Sequence, residues 1–239
     1  MAPKISIVTP VFNERGSIDG LVDEIMTAFD GLAYEMIFVD DCSADGTREA
    51  LAALKAAHPQ MRVVGHQRRS GQSRAILTGV LAARGVVIVM LDGDGQYDPA
   101  DAPRMIRRLM DGPQTLGMVA GERIARRDDA SRRIASRLGN VASRTLLRSP
   151  GQDAGCGLKV FRREVFLRLP YFDHMHRFLP ALMTREGYDV VFEPVDHRPR
   201  PAGASKYSNL GRLWVTIPDI LGVLWLGRRR TPPGAVEEF

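Results

Sequence analysis

Between residues 5 and 91, short apolar runs alternate with amphipathic stretches. Ile5–Pro10, Tyr34–Val39, Arg62–Gly65 and Val86–Leu91 read as buried strands, because each run is short, apolar and bounded by turn residues. The stretches between them carry apolar residues at helical spacing. Ser17 is placed to cap a first helix with Ile18, Leu21, Val22 and Ile25 on one face, and further helices are predicted from Gly46 to Ala57 and over Ser73–Ala83. Strands that alternate with helices of about 10–12 residues predict a mainly parallel sheet covered on both faces, an α/β fold. Ligands of such sheets bind beyond the carboxyl ends of the strands. Asp40-Asp41 and Asp92-Gly93-Asp94 both follow predicted strands, so two acidic clusters are expected at that edge.

After Gly121 the pattern changes. Residues 123–148 hold eight arginines, with a helix expected over Ser131–Leu147. A glycine-rich loop, Gly151 to Gly157, leads into a strand at Leu158–Phe161, and another strand is expected at Val190–Pro194. Leu210–Leu226 is apolar, carries two tryptophans and is followed by Arg228-Arg229-Arg230.

The chain has 239 residues, 44% hydrophobic and 26% charged, a balance that excludes wholesale disorder, collagen and a multi-span membrane protein. Two cysteines, Cys42 and Cys156, give neither a disulfide framework nor metal-ligand spacing, which favours a reducing compartment. The first apolar run is too short for a signal peptide, so a cytoplasmic location is expected. Residues 1–100 hold 9 Lys+Arg against 13 Asp+Glu, and residues 101–239 hold 24 against 15. The basic second half suits an anionic partner: nucleic acid, anionic lipid or a phosphorylated substrate.

The sharpest chemical signal is Asp92-Gly93-Asp94-Gly95-Gln96 directly after the most apolar strand. Two carboxylates one residue apart in a glycine turn can face one hard cation, and Mg²⁺ or Mn²⁺ takes oxygen ligands while keeping positions for phosphates. Neither a G-x-G-x-x-G fingerprint nor a Walker A sequence is present.

Ile5–Glu14, Ile37–Thr47, Val89–Gln96, Asp153–Phe161 and Gly203–Tyr207, in that order, resemble the family 2 glycosyltransferases of the GT-A fold. The likeness is strongest to the branch that makes polyprenyl-phosphate sugars. The resemblance implies a mainly parallel central sheet with helices on both faces. It implies a catalytic domain over 1–209, divided into a nucleotide-sugar and metal half (1–121) and an acceptor half (122–209). Residues 210–239 then form a C-terminal interfacial helix and tail.

The resemblance also assigns roles. Pro10, Phe12, Glu14, Val39, Asp41, Asp92, Gly93 and Asp94 would bind the nucleotide sugar, with Phe12 standing where tyrosine is more usual. Asp92, Asp94 and Gln96 would hold Mg²⁺ or Mn²⁺. Arg123, Arg200 and Lys206 match basic positions of the family and, with Arg137 as a candidate from the arginine-rich span, would bind the acceptor phosphate; Asp94, Arg123 and Lys206 would be the catalytic groups. Asp153 would orient the acceptor or a nearby arginine, or shape the glycine turn. Lys159 would reach the phosphates or lie on a strand surface. Val39 has a plain core reading, and Asp41 a reading as a cap on the following turn.

Relatives that attack with a sugar hydroxyl place an acidic base near the start of a late helix. Here the stretch reads His174-Met-His-Arg-Phe-Leu-Pro180, with no carboxylate after Asp173. A phosphate monoester is already an anion and needs cations rather than a base, and arginine's planar fork suits phosphate oxygens. None of the five histidines is expected to be catalytic.

The sequence therefore predicts a metal-dependent, inverting transferase moving a sugar from a nucleotide donor to a polyprenyl phosphate. The alternative is a family 2 transferase acting on a saccharide hydroxyl. A nucleic-acid or lipid-binding module would explain the basic half but not Asp92 and Asp94, so nucleic acid is not an expected partner. Leu213–Leu226 is too short to span a bilayer, and Pro218-Asp219 is expected to interrupt it. With tryptophans and trailing arginines it suits a helix lying among headgroups, peripheral on the cytoplasmic face, or a contact with a membrane-protein partner.

Overall fold

The computed structural model describes residues 4–123, 153, 155–200 and 209–229. Seven strands, β1 (Ile5–Val11), β2 (Tyr34–Asp40), β3 (Met61–Gly65), β4 (Val87–Met90), β5 (Leu116–Arg123), β6 (Lys159–Arg162) and β7 (Asp189–Val195), form one sheet in the order β3-β2-β1-β4-β6-β5-β7. The first four are mutually parallel. β6 runs antiparallel to both β4 and β5, and β7 lies parallel to β5. Periodicity marks a strand but not its direction, so the apolar run around Leu158 gave no sign of this reversal. Residue 121 falls inside β5, so the two halves expected of the catalytic domain share this sheet.

The central strands β1, β2 and β4 are mostly apolar and buried because both faces of the sheet are covered. Ile7 and Val89 point into one core half, with Ile18, Leu21 and Ile25 of α1 (Arg15–Ala28), Leu51 of α2 (Thr47–Ala57) and Met105 of α4 (Ala102–Met110). Val8 and Ile88 point into the other. There they meet Ile76 and Val80 of α3 (Gln72–Ala82), Phe166 of α5 (Arg163–Leu167), Leu182 of α6 (Leu179–Arg185) and Val223 of α7 (Asn209–Arg228).

Two local expectations are corrected. Ser17 is not an N-cap: α1 begins at Arg15, and Ser17 is buried in its first turn. The start is capped from a distance, by Thr47 Oγ1 accepting the Glu14 N–H at 2.9 Å and Asp45 Oδ2 accepting the Arg15 N–H at 3.2 Å. α7 runs through Pro218 without a break. No helix among the described residues is long and apolar enough to cross a membrane.

Candidate active site

The carboxyl ends of β1, β2 and β4 converge on one cleft. Pro10, Phe12, Glu14, Asp41, Asp92, Gly93 and Asp94, expected as donor-site residues, line it together with Arg200, which was expected at the acceptor phosphate. Among the further lining residues, Arg69 and Gln72 bring polar side chains to the cleft and escaped that reading. Their signal was the segment Arg68–Ser73, a basic loop with one glycine between a strand and a helix at the same sheet edge.

The acidic turn after β4 is shaped by glycines on both sides. A Cβ on Gly93 would sit 2.5 Å from Val11 Cγ1, and one on Gly157 only 2.0 Å from Asp92 Oδ2. Side chains at either position would displace the turn or its carboxylate. Asp92 Oδ1 accepts a hydrogen bond from Gln72 Nε2 at 2.8 Å. Burial and the charge of Asp94 push the Asp92 carboxyl up from 3.8 to about 6, against the pull of Lys159 and Arg123. Asp94 Oδ2 is 2.7 Å from Arg200 Nη2, and Asp94 Oδ1 accepts the Gln96 N–H at 3.2 Å.

Arg200 reaches this turn because its segment is pinned to it. Arg198 N–H donates to the Gln96 carbonyl at 2.8 Å, and Gln96 Nε2 donates to the Arg198 carbonyl at 3.3 Å. Tyr97 and His197 form a β-bridge with their rings edge-on, 5.3 Å between centroids. The Gln96 amide nitrogen is thus engaged with backbone, which leaves Oε1 as the atom that would face a cation.

The second acidic cluster is divided between two tasks. Asp40 accepts from the Ser43 N–H at 3.0 Å and pairs with Arg48 at 2.7 Å, so Asp40 caps the following turn. Asp41 Oδ1 accepts the Ser70 N–H at 2.7 Å and lies 2.8 Å from His66 Nδ1, while Oδ2 accepts the Gly71 N–H at 2.8 Å. Asp41 ties the loop that carries Arg69 to the end of β2. The Arg69 guanidinium carbon lies 4.2 Å from the Phe12 ring centroid, covering one face of that ring. The Val39 side chain is fully buried in the core, so a ligand can meet this residue only through its backbone.

Beneath the acidic turn, Arg123 and Asp153 form a two-pronged pair, Nε–Oδ2 at 2.6 Å and Nη2–Oδ1 at 2.8 Å. Burial opposes the charge, but the Asp153 hydrogen bonds hold the Arg123 guanidinium above its ordinary value. Of the readings for Asp153, the structure shows the one in which it orients a nearby arginine. Lys159 is not a surface lysine: it is 1% exposed and donates to the Cys156 carbonyl. Burial lowers its ammonium, partly offset by Asp92 and Asp153. The expected residues Arg137 and Lys206 lie outside the described residues.

Asp92 and Asp94 present hard oxygen ligands in a cradle that a Cβ would fill, which fits Mg²⁺ or Mn²⁺ chemistry. Among the described residues no group of three or more His, Cys, Asp or Glu side chains could hold a metal ion. A pair that needs phosphate oxygens to complete its coordination matches the way Mg²⁺ is bound beside nucleotides.

Comparison with known proteins agrees with this geometry. The model of "Glycosyl transferase family 2" matches residues 6–169. Dodecaprenyl-phosphate galacturonate synthase of Rhizobium johnstonii is 33% identical over 245 residues, covering 97% of this chain and 69% of the relative. Undecaprenyl-phosphate 4-deoxy-4-formamido-L-arabinose transferase of Yersinia pestis is 34% identical over 225 residues, covering 92% and 67%. Among solved structures, glucosyl-3-phosphoglycerate synthase of Mycobacterium tuberculosis, in complex with Mn²⁺, uridine diphosphate and glucosyl-3-phosphoglycerate, aligns with a TM-score of 0.67. It is 22% identical, and the match covers 94% of this chain and 80% of that one. A mannosyltransferase of Pyrobaculum calidifontis in complex with GDP-Man and Mn²⁺ also gives 0.67, at 19% identity over 98% of this chain and 66% of that one. These likenesses establish the GT-A fold. Sheet order, acidic strand end and the breadth of the match lead to one assignment: the chain belongs to glycosyl transferase family 2 and is a glycosyltransferase.

Proposed function

We propose that this enzyme transfers a sugar from a nucleotide-sugar donor to a polyprenyl phosphate, with Mg²⁺ or Mn²⁺ held by Asp92 and Asp94. The bound cation would neutralise charge on the departing nucleoside diphosphate. The rest of the work falls to the chain. Pro10, Phe12 and Glu14 line the donor pocket. Arg200 brings positive charge to the acidic turn, and Gln72 orients Asp92. The acceptor oxygen, anionic on arrival, displaces the diphosphate in one in-line step that inverts the anomeric carbon.

The observation that carries this reading is the charge of the wall under the acidic turn. Lys159 and Arg123 both act on Asp92, Arg200 acts on Asp94, and the Asp153 carboxylate is paired with Arg123. Where a hydroxyl-activating base would stand, the chain has His174 and His176. Burial, then the charge of Arg177, pushes the His176 imidazole well below its ordinary value, so it is neutral. Among the described residues this wall sets three cations about the turn, which suits an acceptor that arrives as an anion. The names of the two relatives, both polyprenyl-phosphate enzymes, support the same acceptor class.

We further read α7 as the contact with the lipid that carries the acceptor. It docks through Val223 and leaves Leu221 and Trp225 61% and 59% exposed, with Arg228 and Arg229 following. Apolar side chains beside arginines suit an anionic, cytoplasm-facing membrane surface. The test is a panel of nucleotide sugars offered with a prenyl phosphate, the matching prenyl alcohol and free sugars. Transfer to the phosphate alone is the expected result. Transfer to the alcohol or a sugar, with none to the phosphate, overturns the reading.

A further inference from the structure

The opening of α3 is held from two sides. Its first residue, Gln72, donates to Asp92 Oδ1 at 2.8 Å. Its second, Ser73, has its hydroxyl 2.8 Å from His176 Nδ1 and accepts the backbone N–H of the same residue at 3.3 Å. Next in sequence, the Arg74 guanidinium lies 3.8 Å from the Tyr171 ring centroid. Two consecutive residues of the first turn of α3 are therefore clamped to the segment 171–177, which is far away in sequence. Burial of α3 does not require this, since Ala75, Ile76 and Val80 already bury it.

The clamping segment has a firm footing of its own. Residues Met175–Arg177 form a 3₁₀ turn with Met175 in the core. His174, at φ 66°, places Nδ1 3.1 Å from Asp219 Oδ2 of α7. The His176 ring is neutral, because burial outweighs all else and Arg177, Lys159 and His174 add positive charge around it. In the Nε2–H tautomer Nδ1 accepts the Ser73 O–H, and the same oxygen receives the His176 N–H. Both capacities of the hydroxyl are then used, which fixes its rotamer and the start of the helix.

We propose that Ser73 and His176 are positioning residues for Asp92: their hydrogen bond sets the first turn of α3 so that Gln72 holds the carboxylate in its cation-binding orientation. This rests on the reading of Asp92 and Asp94 as the metal pair. Partners of metal ligands act by orienting them, and their loss typically weakens metal binding about 10- to 100-fold. Here the partner of the ligand is Gln72, and Ser73 with His176 is the layer behind it.

The experiment measures Mn²⁺ binding to the full chain by calorimetry, with UDP or GDP present, beside the Mn²⁺ dependence of turnover. Ser73→Ala should weaken Mn²⁺ binding about tenfold in a chain that stays folded at the assay temperature, and Gln72→Met should do the same. The double variant should be no worse than the weaker single, because both act through one hydrogen bond to Asp92. His176→Phe should match Ser73→Ala, while His176→Asn, which keeps an acceptor, should recover part of the loss. Wild-type Mn²⁺ binding in Ser73→Ala overturns the proposal, as does full additivity of Ser73→Ala with Gln72→Met. If His176→Phe fails to fold, Ser73→Ala decides alone, since it removes a single oxygen. A wild-type chain that binds no Mn²⁺ with either nucleotide overturns the metal reading itself, and this inference with it.

Discussion

Arg200 closes the late basic segment onto the acidic turn: its Nη2 lies 2.7 Å from Asp94 Oδ2 and 3.9 Å from Glu14 Oε1. The two carboxylates of the turn therefore differ in character. Asp94 faces the Arg200 guanidinium, and Asp92 is half-buried between an amide donor and two more distant cations. A divalent ion held by this turn would compete with Arg200 for Asp94, and the fork of Arg200 suits phosphate oxygens.

Replacing Asp94 by Asn is expected to abolish turnover with the fold intact. The substitution removes one charge from a hard-cation site and weakens the pairing that brings Arg200 to the turn. Loss of one such group costs on the order of 3–4 kcal/mol of transition-state stabilisation. Turnover measured beside circular dichroism checks it; near-normal activity, or a wild type indifferent to EDTA, rules out the metal assignment. Arg200→Lys keeps the charge but loses the fork, and should raise KM for a phosphate-bearing substrate more than it lowers kcat.

The Arg123–Asp153 pair predicts a large stability effect. Its side chains are only 16% and 4% exposed, and their two hydrogen bonds hold the start of the 153–157 loop against the end of β5. Asp153→Asn leaves a buried guanidinium without its counter-charge, which costs about 3 kcal/mol or more. For a chain of this size the melting temperature should fall by roughly 6–12 °C. An unchanged melting curve would show that the pair is not structural.

Much of the first half of this fold was legible from residues 5–91, because parallel strands buried on both faces write themselves as continuous apolar runs. Less could be read beyond them. α4 and β5 went unpredicted, as did α6, whose seven residues span less than two helical turns. The reversed β6 was invisible because pairing direction is a tertiary choice. At the site, residues that act through the turn after β4 were evident from spacing. Gln72, Arg69 and the capping residues Asp45 and Thr47 were not, since each acts on a partner distant in sequence.

The Asp92 carboxyl titrates at about 6 in the ligand-free chain, raised from 3.8 by burial and by Asp94. The folded state therefore binds an extra proton between those two values. Its contribution to stability is complete below about pH 4 and is lost as pH rises through about 6. Metal binding has the opposite sign, since the ligand must be deprotonated. Mn²⁺ affinity should fall as pH drops below about 6, with proton uptake by the buffer on binding at pH 5.5 and almost none at pH 8. Calorimetry in two buffers of different ionisation enthalpy measures this; an affinity flat from pH 5 to 8 would place the cation elsewhere.

The last prediction concerns α7, where one helix serves two surfaces. Ile220, Val223 and Leu226 face the core, and the Leu226 carbonyl accepts from Arg185 Nε at 3.0 Å. Leu221 and Trp225, one turn apart on the other side, face outward, with the Arg229 guanidinium 5.8 Å from the Trp225 ring centroid. Deleting residues 210–239 should abolish binding to liposomes, but it also removes Val223 from the core and confounds the result. Leu221→Asp with Trp225→Asp avoids this, because both side chains are already exposed. Burying such residues at an interface contributes about 1.5–3 kcal/mol each, and each nearby arginine adds about 1 kcal/mol on anionic lipid. The double variant should float at least tenfold less well with anionic liposomes, while wild-type binding weakens with added salt as the arginine share is screened. Activity on a long-chain prenyl phosphate in vesicles should fall with it, and activity on a short, water-soluble prenyl phosphate should not. Unchanged flotation of the double variant would assign this face to a protein contact instead.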